Sequence, residues 1–365
     1  DCIEGNQLLF VSTAEVKEMW AYVDPILRAW RESKVPLVHY QPDTAVIRKD
    51  ATRQIEASVP IRPLKKELVV IGLGKMGGNL VRNLLNKNWK VAGYNRSSED
   101  TKLLERQGMI GIYDLKEIRR AIARPRIVWL MLPAGKTVDE VIFSKGGLIS
   151  LLDKGDIIVD AGNSFYQDAV VRSQKLQKSG IDFADVGFSG GPGGAQSGAC
   201  LMVGGDKKLF EYLLPLYTDM AVVQGVAFFA GAGAGHFVKM IHNGIEYGMM
   251  QAIAEGFTVL KESAYKLDLQ QAAEVYNHGS VVESRLIGWL ADGLARYGVE
   301  LEQISSTVRH TGEGEWTVKT AKKMGLKTQV IDVALKFRQQ SEKNPSYTGK
   351  ILSTLRNMFG GHTTK

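Results

Sequence analysis

The run Leu68–Ile71 is apolar and short enough for a buried strand. It passes without a linker into Gly72-Leu73-Gly74-Lys75-Met76-Gly77, and a helical pattern follows from Asn79 to Asn86. G-x-G-x-x-G carries little weight alone, but between a strand and a helix it has a mechanism. Gly72 permits a tight turn, Gly74 lets backbone approach a pyrophosphate, and Gly77 lets the helix pack on the sheet. The helix N-terminus then favours the anion. The competing explanation is a glycine turn in some other α/β fold.

Further short apolar runs alternate with helical stretches: Val91–Tyr94, Ile127–Leu132, Ile157–Val159, Phe183–Val186 and Ala199–Val203. Such alternation predicts βαβ units. The expected fold is α/β, a Rossmann-type doubly wound parallel sheet over residues 65–235. An all-helical region over 236–365 is expected to carry substrate-binding and oligomerisation surfaces. A helix-like, Trp-rich extension over 1–64 precedes them, ending in Pro60, Pro63 and a charged stretch. The chain has 365 residues, 44% hydrophobic and 23% charged, which excludes disorder as the dominant state. Two cysteines, Cys2 and Cys200, make no disulfide framework, so a reducing, cytoplasmic setting is expected. The best membrane-span candidate, Ala221 to Val238, is interrupted by Gln224, His236 and glycines, and no membrane association is expected. The net charge is +7, and residues 301–365 hold 11 Lys/Arg against 5 Asp/Glu. That balance suits an anionic partner or a solvated basic surface. Without aromatic interleaving it does not suggest nucleic acid.

The end of the second strand reads Gly93-Tyr94-Asn95-Arg96-Ser97-Ser98, with no carboxylate to hold ribose hydroxyls. Arg96 can pair with a 2′-phosphate and stack on adenine, and Ser97 can donate to it, so NADP is favoured over NAD. Met131-Leu132-Pro133-Ala134 should approach the nicotinamide half.

On a helix through Gly235–Tyr247, the residues Lys239, His242, Asn243, Glu246 and Tyr247 share one face, while Ile241, Ile245 and Ala252 fall toward another. A potential base, a potential acid and neutral hydrogen-bonding groups on one stripe point to a site. An exposed salt-bridged stripe is the alternative. Oxidising an alcohol needs a base for the hydroxyl proton, and a lysine serves if its pKa is lowered. Glu246 becomes useful if carbon dioxide leaves and a carbanion-like centre must be protonated.

With these residues in view, the chain from about 68 onward resembles the decarboxylating 6-phosphogluconate dehydrogenase family within the β-hydroxyacid dehydrogenase superfamily. The helix HFVKMIHNGIEYG is close to the family signature. Asp160-Ala161-Gly162-Asn163-Ser164 is similar to its D-x-G-N-[ST], and Val186-Gly187-Phe188-Ser189-Gly190-Gly191 to its S-G-G loop. The resemblance implies Lys239 as general base and then acid, Glu246 as the proton donor to C1, and Asn243 beside them. It implies cofactor contacts at Gly72, Gly74, Met76, Gly77, Asn95, Arg96, Ser97, Leu132, Pro133 and Asn163, and no metal. The sugar acid would be held by Asn163, Ser189, Gly190, Gly191, His242 and Asn243, and its phosphate by Tyr247, Arg338 and, through the Trp316-Thr317 pair, Thr317. Arg356 and His362 keep the spacing of a family tail that enters a neighbouring subunit's site. They would therefore act in trans within a homo-dimer or tetramer. The chain departs from the family pattern in two places: Gly191-Pro192-Gly193-Gly194 lacks the usual paired glutamates, and Glu315 replaces a lysine. The helical region is about half the long form's, resembling the short form.

Residues 1 to about 40 carry a second resemblance. Asp1–Phe10, Glu15-Val16, Trp20, Asp24–Leu27 and Trp30 are similar to the C-terminal end of glucose-6-phosphate dehydrogenase, which suggests a fusion to that enzyme or a remnant of one. None of that family's catalytic motifs lies there, so no such activity is expected.

Overall fold

A computed structural model describes residues 13–31, 64–308, 312–361 and 363–364. The chain divides into two units at Arg62/Pro63. In the first, helix α1 (Thr13–Arg31) is the described element, and it exposes Met19, Trp20 and Tyr22. Most of the residues quoted for the second resemblance, Asp1–Phe10 among them, lie outside the described residues, as does the Trp30 side chain.

The second unit is built on one eight-stranded sheet. Its strands are β1 (Glu67–Ile71), β2 (Lys90–Tyr94), β3 (Ile110–Ile112), β4 (Ile127–Leu130), β5 (Ile157–Asp160), β6 (Asp182–Ser189), β7 (Ala199–Gly205) and β8 (Ala221–Ala230). The order is β3-β2-β1-β4-β5-β6-β7-β8, and every neighbouring pair is parallel except β6–β7. The helices around the sheet are α2 (Lys75–Asn86), α3 (Ser98–Glu105), α4 (Lys136–Phe143), α5 (Tyr166–Gln177), α6 (Gly191–Ser197) and α7 (Lys207–Met220). The helices that follow are α8 (Ala234–Glu262), α9 (Leu269–Tyr276), α10 (Arg285–Tyr297), α11 (Glu313–Lys323), α12 (Gln329–Gln340) and α13 (Tyr347–Gly360). The Rossmann-type fold and helical region expected from the sequence are both present.

The apolar runs are continuous because the central strands are covered on both faces. Leu68 and Val70 enter one core cluster with Trp129 and Tyr217, while Val69 and Ile71 enter a second with Val128 and Ile158. Two strands exceed the sequence reading. β3 is only three residues long, and β8 lies at the sheet edge, half exposed, so neither shows the buried-strand signature.

Two arrangements place the site. Buried Arg172 on α5 joins Asp139 (2.8 Å), Asp160 (3.1 Å) and the Gly135 carbonyl (3.2 Å), while Asp160 Oδ1 accepts from Gly162 N at 3.2 Å and Ser164 Oγ at 3.3 Å. The loops after β4 and β5 are thereby tied together. The long helix α8 is seated by buried Asp185 on β6, which accepts from Gly233 N (2.6 Å) and His236 N (2.8 Å). A carboxylate there satisfies orphan donors at the positive end of the helix. Close approach is possible because Gly235 and Gly187 lack side chains: a Cβ on Gly235 would stand 2.4 Å from the Met202 carbonyl oxygen.

Candidate active site

Two cavities meet where the sheet ends face α8. The first, about 770 Å³, is lined by the Gly72–Gly77 loop, by Asn95, Arg96 and Ser97, and by Leu132, Pro133 and Asn163. Gly72 has φ +94°, and a Cβ there would stand 2.3 Å from the Met131 carbonyl oxygen. A Cβ on Gly77 would collide with the Gly72 carbonyl oxygen. A Cβ on Gly74 would meet nothing within 4 Å. Gly74 caps α2 without a side-chain bond, and no acidic residue occupies the first turn. The helix thus presents unsatisfied N–H groups to the cleft, the arrangement that suits a pyrophosphate. The residues present fit a nicotinamide dinucleotide. Asn95 is engaged on both sides of its amide: Oδ1 accepts from Leu73 N at 3.2 Å, and Nδ2 donates to Asp100 at 3.0 Å. It therefore braces the glycine loop. Glu140 also lines this cleft, a carboxylate that the sequence reading did not reach.

The second cavity, about 620 Å³, brings together Lys239, His242, Asn243, Glu246 and Tyr247 from α8 with Ser189, Gly190 and Gly191 after β6 and with Arg338 and Arg356. Ile245 and Met249 also line it, so the α8 face toward the cavity is broader than expected. The two cavities share Lys75, Met76, Asn163 and Phe188 as a common wall.

Lys239 Nζ lies 3.3 Å from His242 Nδ1, and His242 Nε2 lies 3.2 Å from Ser189 Oγ. Burial pushes the Lys239 ammonium down from the ordinary lysine value, although Glu246, Glu313 and Cys200 pull the other way. Burial pushes the Glu246 carboxyl up against the opposing pull of Lys239, Arg338 and Arg356. Burial thus moves the lysine toward its neutral form and the glutamate toward its protonated form. His242 is pushed down by burial and by Lys239. Arg338 is 4% exposed, and its guanidinium carbon sits 3.5 Å from the centre of the Tyr247 ring. Burial lowers its pKa to about 10.

Of the expected substrate contacts, Thr317 lies off the cavity wall and His362 outside the described residues. Thr317 is buried away from the cavity wall, and its hydroxyl is spent on the Met240 carbonyl (2.8 Å) and the Glu313 carbonyl (3.0 Å). Its role is to pack α11 against α8 at Gly244. Arg356 lines the cavity of its own chain, on α13, which packs along α8. Two residues were missed. Arg285, stacked on Trp289 at 5.0 Å, adds a cation, and Glu313 adds a buried carboxylate.

A dinucleotide-type cleft opening into a lysine–glutamate cavity is the arrangement of an oxidoreductase of the 6-phosphogluconate dehydrogenase class. Residues 67–231 match the NAD binding domain of 6-phosphogluconate dehydrogenase, and residues 235–348 match the C-terminal domain of that enzyme. The chain belongs to the 6-phosphogluconate dehydrogenase family. It is 44% identical over 296 residues to a Bacillus subtilis protein named "Putative 6-phosphogluconate dehydrogenase YqeC", covering 81% of this chain and 98% of that one. It is 33% identical over 297 residues to a decarboxylating, NAD(+)-dependent 6-phosphogluconate dehydrogenase of Haloferax volcanii, covering 81% and 97%. Among solved structures it is similar to Plasmodium falciparum 6-phosphogluconate dehydrogenase (TM-score 0.69, 29% identity), covering 77% of this chain and 65% of that one. Both family models begin beyond residue 66, after the first unit.

Proposed function

We propose that the protein oxidises and decarboxylates 6-phosphogluconate to ribulose 5-phosphate and carbon dioxide, with NADP as the preferred acceptor. The observation that carries this reading is the Lys239–Glu246 cavity, which shares a wall with the dinucleotide cleft. Five basic residues, Lys75, Lys239, Arg285, Arg338 and Arg356, line that cavity with two acidic ones, Glu246 and Glu313. That excess suits a sugar acid carrying both a carboxylate and a phosphate. A small unphosphorylated hydroxyacid would bring one anionic group to a lining that offers partners for two.

When bound, the nicotinamide accepts a hydride from the sugar acid. Lys239 Nζ, whose pKa burial lowers, acts from its neutral form to take the C3 hydroxyl proton, and Ser189, His242 and Asn243 orient the acid. The Lys239 ammonium then polarises the new carbonyl, which lets the β-keto acid lose carbon dioxide. Glu246, whose carboxyl pKa burial raises, delivers a proton to C1. Tyr247, Arg338 and Arg356 anchor the phosphate, and binding energy gained there fixes the reacting carbon.

Arg96 and Ser97 in the dinucleotide cleft support NADP. Exposed Ile245, Met249 and Val259 on α8, with Val330 and Val333 on α12, support a homo-oligomer, which light scattering would test. The deciding experiment measures NADP and NAD reduction with 6-phosphogluconate and with gluconate, trapping carbon dioxide in parallel. Stoichiometric NADPH and carbon dioxide from the phosphorylated acid are expected. Reduction without carbon dioxide, or equal turnover of gluconate, overturns the reading.

A further inference from the structure

Glu313 opens α11 immediately after Gly312, whose φ is +106°, and only 5% of it is exposed. Its Oε1 accepts a hydrogen bond from Asn163 Nδ2. Asn163 follows β5 and belongs to the wall common to both cavities. A carboxylate from the helical region therefore grips an amide from the sheet region at the place where cofactor and sugar acid meet. A buried carboxylate is costly unless it is hydrogen-bonded or paired. Here the Asn163 amide and the start of a helix both favour it.

Glu313 also bears on Lys239. Among the described residues, the groups that act electrostatically on Lys239 are Glu246 from its own helix, Glu313 from α11 and Cys200 from β7, and His242 lies within hydrogen-bonding distance. Both glutamates stabilise the protonated amine, while burial opposes it.

We infer that Glu313 is a positioning residue of the reaction centre: it fixes the Asn163 amide across the junction of the two cavities and presents a second carboxylate to Lys239. The inference rests on the reading of Lys239 as the proton acceptor. The two roles separate by substitution. Glu313→Gln keeps an acceptor for Asn163 and removes the charge. Glu313→Asp keeps the charge and withdraws it from Asn163.

The test uses the full chain. Competitive acetylation of Lys239 with acetic anhydride across a pH series, read by peptide mass spectrometry without cofactor or substrate, gives the titration of the amine directly. In Glu313→Gln the midpoint should move to lower pH by about half a pH unit or more, because a cation loses a stabilising anion. The acid limb of kcat/KM should move the same way. Glu313→Asp should leave that limb in place and raise KM for the sugar acid by roughly tenfold, the loss of one hydrogen bond to a charged group. Coincident acetylation midpoints for wild type and Glu313→Gln would overturn the inference. If wild type turns over no 6-phosphogluconate, the proposed reaction falls, and the acetylation midpoints still decide the role of Glu313.

Discussion

Gly187 lies directly beneath Lys239: a Cβ on the glycine would stand 2.3 Å from the Lys239 Cβ and 2.9 Å from the Gly235 carbonyl oxygen. The space left by a missing side chain on β6 sets the height at which the lysine emerges from α8. Gly187→Ala must push the helix away from the strand. We expect kcat/KM to fall about 100-fold through misplacement of the amine, with a stability loss of about 1–3 kcal/mol from overpacking. Steady-state kinetics and denaturant unfolding check both.

Lys239→Met removes the proposed proton acceptor while keeping an unbranched side chain at that position. The expected loss in kcat is about 100- to 10,000-fold, with cofactor binding retained, as fluorescence titration would show. In wild type the amine must be neutral to act, and burial moves its pKa down. Activity should therefore rise with pH along a limb set below the ordinary lysine range. Glu246 must keep its proton, and burial moves its pKa up. Activity should fall again at higher pH, along a limb set above the ordinary carboxylate range. Glu246→Gln should remove that falling limb.

Arg96 is exposed at the end of β2 and lines the dinucleotide cleft. Replacing it with Gln should raise KM for NADP about 10- to 100-fold, the worth of a charge-assisted pair with a phosphate. KM for NAD should barely change. A parallel rise for both cofactors would mean that Arg96 meets the shared part of the molecule.

Arg172 is 1% exposed and answers the fully buried Asp160. Removing one partner leaves a buried charge uncompensated, so Arg172→Met should cost about 3–5 kcal/mol of stability. Because Asp160 holds Gly162 and Ser164, the same change should loosen Asn163 and raise KM for both ligands. Urea unfolding and kinetics on the folded fraction separate the two effects.

Lys75 Nζ donates to the Gly361 carbonyl at 2.8 Å, and Phe359 stacks on Trp289 with ring centres 5.5 Å apart. The end of α13 is thus pinned to the glycine loop of the cofactor cleft. Lys75→Met should increase hydrogen exchange of the backbone amides in 359–361 without altering exchange in β1 or β4.

The parallel core was legible because both faces of its strands are covered, so Leu68–Ile71 and Ile157–Val159 read as unbroken apolar runs. β8 was not, since its edge position leaves Val222 and Val223 exposed and its glycine carries no periodicity. The α8 stripe was legible because helical spacing alone brings Lys239, His242, Asn243 and Glu246 together. Thr317 shows where a motif stops informing: nothing in Trp316-Thr317 reveals that Met240, 77 residues earlier, takes the hydroxyl. Glu313 was hidden for the converse reason. Its partner Asn163 is 150 residues away, and the one local signal was an acid set between Gly312 and Gly314. Arg172 gave only the local i,i+4 pairing with Asp168, because its closer partners Asp139 on α4 and Asp160 on β5 lie 33 and 12 residues earlier.

Lys75, Met76, Asn163 and Phe188 belong to both cavities. Any adjustment of these four side chains that improves the fit of one ligand alters the surface offered to the other. Thermodynamic reciprocity then demands that dinucleotide and sugar acid change each other's dissociation constant by one common factor. The order of their arrival has no influence on that factor.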